Sequence, residues 1–108
     1  MSKILLVNFD EELRKRLAGF LRAERHETFV GGEGECLPAI LQRSGGAIDL
    51  FILDVSCREK YVRELLAEVI SHRAKSGPRP MVLCISRIYR GPRFALDLEM
   101  KGARFLYV

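Results

Sequence analysis

The stretch Ile48-Asp49-Leu50-Phe51-Ile52-Leu53-Asp54 decides the fold. Four consecutive apolar residues run from Leu50 to Leu53 and stop at a carboxylate. A strand with one wet face alternates apolar and polar side chains, whereas a strand covered on both faces carries an unbroken apolar run. The same signature recurs on either side. Ile4 to Val7 precedes it, Met81 to Ile85 follows with Cys84 inside, and Phe105 to Val108 comes last. A weaker run, Glu27-Thr28-Phe29-Val30, stops at Gly31-Gly32 and reads as an edge strand.

Helical periodicity fills the intervals. Asp10 is placed to cap a helix carrying Leu13, Leu17, Phe20 and Leu21 on one face. Glu11 and Glu12 suit its positive end, and Arg22 and Arg25 its negative end. Leu37, Ile40 and Leu41 mark a short second helix, with Pro38 tolerable in its first turn. Val62, Leu65, Leu66, Val69 and Ile70 give the cleanest helical face in the chain. Pro92 opens a last helix through Phe94, Ala95 and Leu98, which Gly102 stops. The order β-α-β-α-β-α-β-α-β predicts an open, doubly wound parallel sheet. Chemistry in such sheets sits outside the carboxyl ends of the strands. That singles out Asn8, Asp54 and Ser86, each one step past an apolar run.

The remaining features are mostly exclusions. At 108 residues, with 48% apolar and 30% charged, the chain is one domain able to build a core. Its formal charge of +4 permits an acidic partner without demanding nucleic acid. A nucleic-acid module would rest on Arg14, Lys15, Arg16, Arg22, Arg25, Arg87, Arg90 and Arg93. Such surfaces interleave aromatics with cations, and here the aromatics, 8% of the chain, fall mainly in the apolar runs. Cys36, Cys57 and Cys84 form no CxxC or Cys/His cluster, which argues against zinc; Cys84 reads as a reduced core residue. His26 and His72 are isolated and read as surface residues, and Gly31-Gly32-Glu33-Gly34 lacks the ending of a phosphate loop. An independent enzyme is therefore not expected. The first apolar stretch is cut by Asn8 and Asp10, too short for a signal peptide or membrane span, so a cytoplasmic chain is expected.

Taken together, the runs resemble a response-regulator receiver domain. The resemblance rests on Lys3 to Val7, on Ala47 to Asp54, and on Leu65-Leu66 eleven and twelve residues after the aspartate. It continues through Val82 to Ser86 and Gly102-Ala103, sixteen residues after Ser86. It implies a flavodoxin-like, five-stranded parallel sheet in the order 2-1-3-4-5. It also implies that Asp54 occupies the phosphoacceptor position and Ser86 the position of a switch hydroxyl.

Departures from the family are equally informative. The two adjacent acids that hold Mg²⁺ in receivers fall here on Asn8 and Phe9, and a hard dication prefers carboxylate oxygens. Asp10 and Glu11 lie one and two places late; a shifted register with Asp10 and Asp54 as ligands stays open. The family's proline falls on Arg58, its Asp-Gly pair on Tyr61 and Val62, and the small residue after the switch hydroxyl on Arg87. Arg58 and Arg87 could each lend Asp54 a fixed positive charge in place of the metal or the family lysine, or could both point into solvent. That lysine would follow Val108, and the aromatic switch falls on Leu106, leaving Tyr107 as a packing residue. The expectation is one receiver-like domain over 1–108, ending after the fifth strand with the final helix absent. An apolar patch beside Phe105–Val108 would then favour self-association or low stability.

The resemblance thus implies a two-component receiver that has become a pseudo-receiver. It would act through a protein partner or a second copy, with impaired phosphorylation and no cofactor. The alternative is a working phosphoacceptor in a histidine-kinase phosphorelay, with Mg²⁺ and with Asp54 phosphorylated. A nucleic-acid-binding module ranks third.

Overall fold

The computed structural model of the chain describes residues 2–7, 9–31, 37–45, 48–56, 59–75, 81–89 and 91–108. They form five strands, β1 (Lys3–Val7), β2 (Glu27–Val30), β3 (Leu50–Asp54), β4 (Met81–Ser86) and β5 (Arg104–Tyr107). Four helices alternate with them: α1 (Glu11–Ala23), α2 (Leu37–Ser44), α3 (Glu59–Lys75) and α4 (Pro92–Met100). All strands are parallel, as the apolar runs predict, and the sheet order is β2-β1-β3-β4-β5, as the resemblance to receiver domains implies. The fifth strand begins one residue earlier than expected, at Arg104.

Apolar residues on alternate positions of each strand feed two cores. Leu5, Val7, Phe51, Leu53, Val82 and Cys84 pack with Val62, Leu65, Leu66 and Val69 of α3 and Leu98 of α4. Ile4, Leu6 and Ile52 point the other way, where Phe9 and Ala18 join them and Leu13, Leu17 and Leu21 of α1 pack on top. Burial on both faces explains the unbroken apolar runs of β1 and β3; β4 is fully buried on one face only, and β5, at the edge of the sheet, is mostly exposed despite its apolar run. Each fully buried Leu, Ile or Phe stabilises the fold by about 1.5–3 kcal/mol.

One assignment on α1 needs correction. Phe20 is 64% exposed, and Ala18 is the buried residue instead. At about 100° per residue, Leu17, Leu21 and Ala18 centre the buried stripe, and Phe20 lies about 100° round from Leu21. The helix starts as expected, with the Asp10 side chain accepting the Leu13 N–H at 2.9 Å. It ends in a Schellman motif, His26 N–H to Leu21 O at 2.9 Å and Arg25 N–H to Arg22 O at 3.0 Å. α4 closes the same way on Gly102, which takes a φ of 90°. Among the described residues, no helix is long and apolar enough to cross a membrane.

Candidate functional site

The carboxyl ends of β1, β3 and β4 meet at one edge of the sheet. β3 delivers Asp54 there in register with Ile85 of β4, and its side chain is 5% exposed. Burying a carboxylate is costly unless it is paired and hydrogen-bonded. Ser56 and Arg87 help to meet that need. The Ser56 N–H donates to Asp54 Oδ1 at 2.9 Å, an Asx-type turn that bends the chain off the strand. Arg87 donates from one guanidinium nitrogen to Asp54 Oδ2 at 3.2 Å.

The other terminal nitrogen of Arg87 reaches Asp10 Oδ2 at 3.1 Å. One planar cation therefore spans two carboxylates, one from the end of β3 and one from the start of α1. Asp10 is doubly used, since its Oδ1 caps the helix at Leu13. That N–H bond, with the Arg87 charge acting in the same direction, holds the Asp10 carboxyl below its ordinary value of 3.8. The guanidinium is half-exposed and borders a shallow cleft of about 230 Å³ lined by Asp10, Glu12, Leu13, Arg16 and Arg87.

The backbone holds Arg87 in place. Its N–H donates to Ser56 Oγ at 2.8 Å, so the residue after β4 is tied to the turn after β3. Ser86 is fully buried. Its hydroxyl donates to the Ile88 carbonyl at 2.6 Å and accepts the Ile88 N–H at 3.1 Å, closing a tight turn on its own loop.

Of the residues singled out from sequence, Asp54, Asp10 and Arg87 come together. Ser86 lies beside them but spends its hydroxyl on Ile88. Phe9 is buried among Ile4, Leu6, Ala18 and Ile52 and offers the site no oxygen. Asn8 and Arg58 lie outside the described residues, as do Cys36, Cys57 and Gly32 to Gly34. Cys84 is buried in the core, and burial pushes its thiol up to about 12. His26 is half-buried and its Nδ1 accepts the Ser2 N–H at 3.4 Å. Among the described residues, no group of three metal-binding side chains converges.

Two residues of the neighbourhood were not anticipated. Ser56 links Asp54 to Arg87, and the only hint in the sequence is the Asp-x-Ser spacing of an Asx turn. Tyr89 packs edge-on against Tyr107, with ring centroids 5.7 Å apart. Tyr107 is thus a packing residue, but on the surface: it is 54% exposed, because the register places it opposite Ser86 at the outer edge of the sheet.

No family model and no curated protein sequence matches the chain. Solved structures do resemble it. A two-component response regulator of Clostridium difficile superposes with a TM-score of 0.74 at 17% identity, covering 100% of this chain and 82% of that one. The non-phosphorylated HemR receiver domain of Leptospira biflexa gives 0.72 at 19% identity, with 100% and 81% covered. The N-terminal domain of a response regulator receiver protein of Methanoculleus marisnigri gives 0.71 at 19% identity, with 99% and 84% covered. The fold of this chain is that of a response-regulator receiver domain.

Proposed function

We propose that the chain is a two-component signal-transduction receiver domain of the pseudo-receiver kind. It works through protein contacts, in the cytoplasm, and not through metal-dependent phosphoryl transfer. The observation that carries this reading is the Arg87 guanidinium bridging Asp10 and Asp54. Phosphoryl transfer to a carboxylate needs a cation to neutralise charge on the equatorial oxygens, and a free nucleophile. Here the carboxylate at the phosphoacceptor position already holds a tethered cation.

Mg²⁺ does not suit these residues. It wants near-octahedral oxygen ligands. Phe9 supplies none, and Asp10 gives one oxygen to the Leu13 N–H and the other to Arg87. We therefore assign Asp54 a structural ion pair, Arg87 the charge substitute, and Ser86 the closure of its own turn.

One observation favours the alternative, a working phosphoacceptor in a histidine-kinase phosphorelay. Asp10 and Asp54 do converge on a single cation, and displacement of Arg87 would leave two carboxylates facing one space. The nucleic-acid reading weakens further, because Lys15 pairs with Glu11 and Arg16 with Glu12 along α1.

The test is incubation with Mg²⁺ and a small acyl phosphate donor, followed by intact mass measurement. No phosphoryl adduct is expected. A stable adduct that disappears in Asp54→Ala would establish the alternative.

A further inference from the structure

Strand β5 carries main-chain groups that the rest of the fold leaves unused. The Val108 N–H donates to Ser86 O at 2.9 Å, and Tyr107 is the register partner of Ser86. In a parallel ladder the N–H and C=O of one residue point to the same side, and successive residues alternate. Leu106 and Val108 therefore face β4. The N–H and C=O groups of Phe105 and Tyr107 face outward, with no partner among the described residues.

Proteins blunt such an edge with proline, a bulge, a covering element or several charges. Arg104–Tyr107 carries one charge, at its first residue. Leu106 is 49% and Tyr107 54% exposed. On the sheet face shared by Leu106, the neighbouring Leu83 and Ile85 of β4 are only half-buried, whereas Val82 and Cys84 on the opposite face are buried. Unpaired backbone and apolar surface thus coincide at one strand.

We propose that β5 pairs antiparallel with β5 of a second copy of this chain, about a two-fold axis at Leu106, extending the five-stranded sheet to ten strands. This rests on the reading that the chain acts through protein contacts, and it names the surface and the partner. The outward groups fit that register. Phe105 of each copy opposes Tyr107 of the other, and each such pair exchanges both N–H···O bonds. Leu106 meets its twin in the close, non-hydrogen-bonded position, with Cα atoms about 4.5 Å apart.

Charge selects this register over its neighbour. With the axis at Leu106, Arg104 faces Val108 of the second copy, and the two arginine Cα atoms stand about 13 Å apart along the strands. That exceeds the screening length of about 8 Å at physiological salt. An axis at Phe105 would bring them to about 7 Å and set like charges against each other. A two-fold axis normal to the sheet also keeps Leu83, Ile85, Leu106 and Val108 of both copies on one face, so the apolar surface becomes continuous.

The experiment combines sedimentation equilibrium with residue-resolved amide exchange. Between about 10 μM and about 1 mM, mass action should raise the dimer fraction of the unmodified chain. The Phe105 and Tyr107 amides should slow in step, while the Leu106 amide, already bonded to β4, should not change. Leu106→Lys places two ammonium groups at the axis and should give a monomer. Tyr107→Pro removes an outward donor without touching a bond to β4 and should do the same. Phe20→Lys, on the exposed side of α1, should leave the dimer intact. Far-ultraviolet circular dichroism checks that each variant is folded. A chain monomeric throughout this range overturns the proposal, as does a dimer whose Phe105 and Tyr107 amides exchange at a concentration-independent rate. A phosphoryl adduct on Asp54 would overturn the pseudo-receiver reading and leave this result standing.

Discussion

Arg87 and Asp54, thirty-three residues apart, bring a guanidinium nitrogen and a carboxylate oxygen to 3.2 Å at the edge of the sheet. The two partners differ in exposure: the Asp54 side chain is 5% exposed and the Arg87 side chain 48%. Removing one partner of a fully buried pair costs about 3–5 kcal/mol, because a bare charge is left in a poor solvent. The wet arginine screens part of this, and Ser56 still donates to Asp54. Arg87→Ala should therefore destabilise the fold by about 1–2 kcal/mol. Arg87→Lys should recover less than half, since a point ammonium cannot bridge Asp10 and Asp54 as a planar fork does. Urea unfolding at neutral pH, with an unchanged slope, measures both. An Arg87→Ala protein as stable as the parent would show that solvent already screens the pair.

The same cluster dictates a response to acid. Asp10 has its folded value lowered, first by the Leu13 N–H and then by Arg87. The unfolded chain consequently binds more protons between the lowered value and the ordinary 3.8. The contribution of Asp10 is thus complete above 3.8 and is lost as pH falls through the folded value. Asp10→Asn keeps a capping oxygen without a titrating charge. Melting curves from about pH 6 down to about pH 3 should show the parent losing more stability than Asp10→Asn over the lower part of the range. Parallel losses would mean that the Asp10 charge does not contribute.

Legibility in the sequence followed the physics of each element. β1 and β3 were readable because burial on both faces writes an unbroken apolar run. α3 was readable because Val62, Leu65, Leu66 and Val69 sit on one buried stripe. Phe20 was misplaced because an apolar residue at the rim of a helical stripe satisfies the spacing while remaining wet. At the site, Asp54 was legible as a carboxylate at the end of a central strand. The Asp10–Arg87 contact was not: it joins residues seventy-seven apart and depends on how the ends of β1 and β4 align across β3. Spacing alone likewise left Arg58 and Arg87 equal, and left Tyr107 without the Tyr89 ring that holds it at the surface.

Cys84 should be chemically silent in the folded chain. It is fully buried, and burial pushes its thiol up to about 12, so almost no thiolate exists near neutral pH. Alkylation at about pH 8 followed by peptide mapping should leave Cys84 unmodified in buffer and modified in urea. The rate of its modification then reports opening of the sheet between β3 and β5. Labelling of native Cys84 on the timescale of a free thiol would place it nearer solvent than the core packing allows.

Arg25 is the one described non-glycine residue with positive φ, 67°, and it occupies the turn position that Gly102 fills at the end of α4. A Cβ in the left-handed region crowds the following carbonyl and costs about 1–2 kcal/mol. Glycine avoids that clash but frees the unfolded chain, which returns part of the gain. Arg25→Gly should therefore stabilise the protein by about 0.5–1 kcal/mol, a rise of about 3–6 °C in Tm for a domain of this size. Arg25→Ala removes the same charge and keeps the Cβ, so it should show no such gain. If both variants shift Tm equally, the effect belongs to the lost charge at the end of α1, and the left-handed backbone at Arg25 carries no strain.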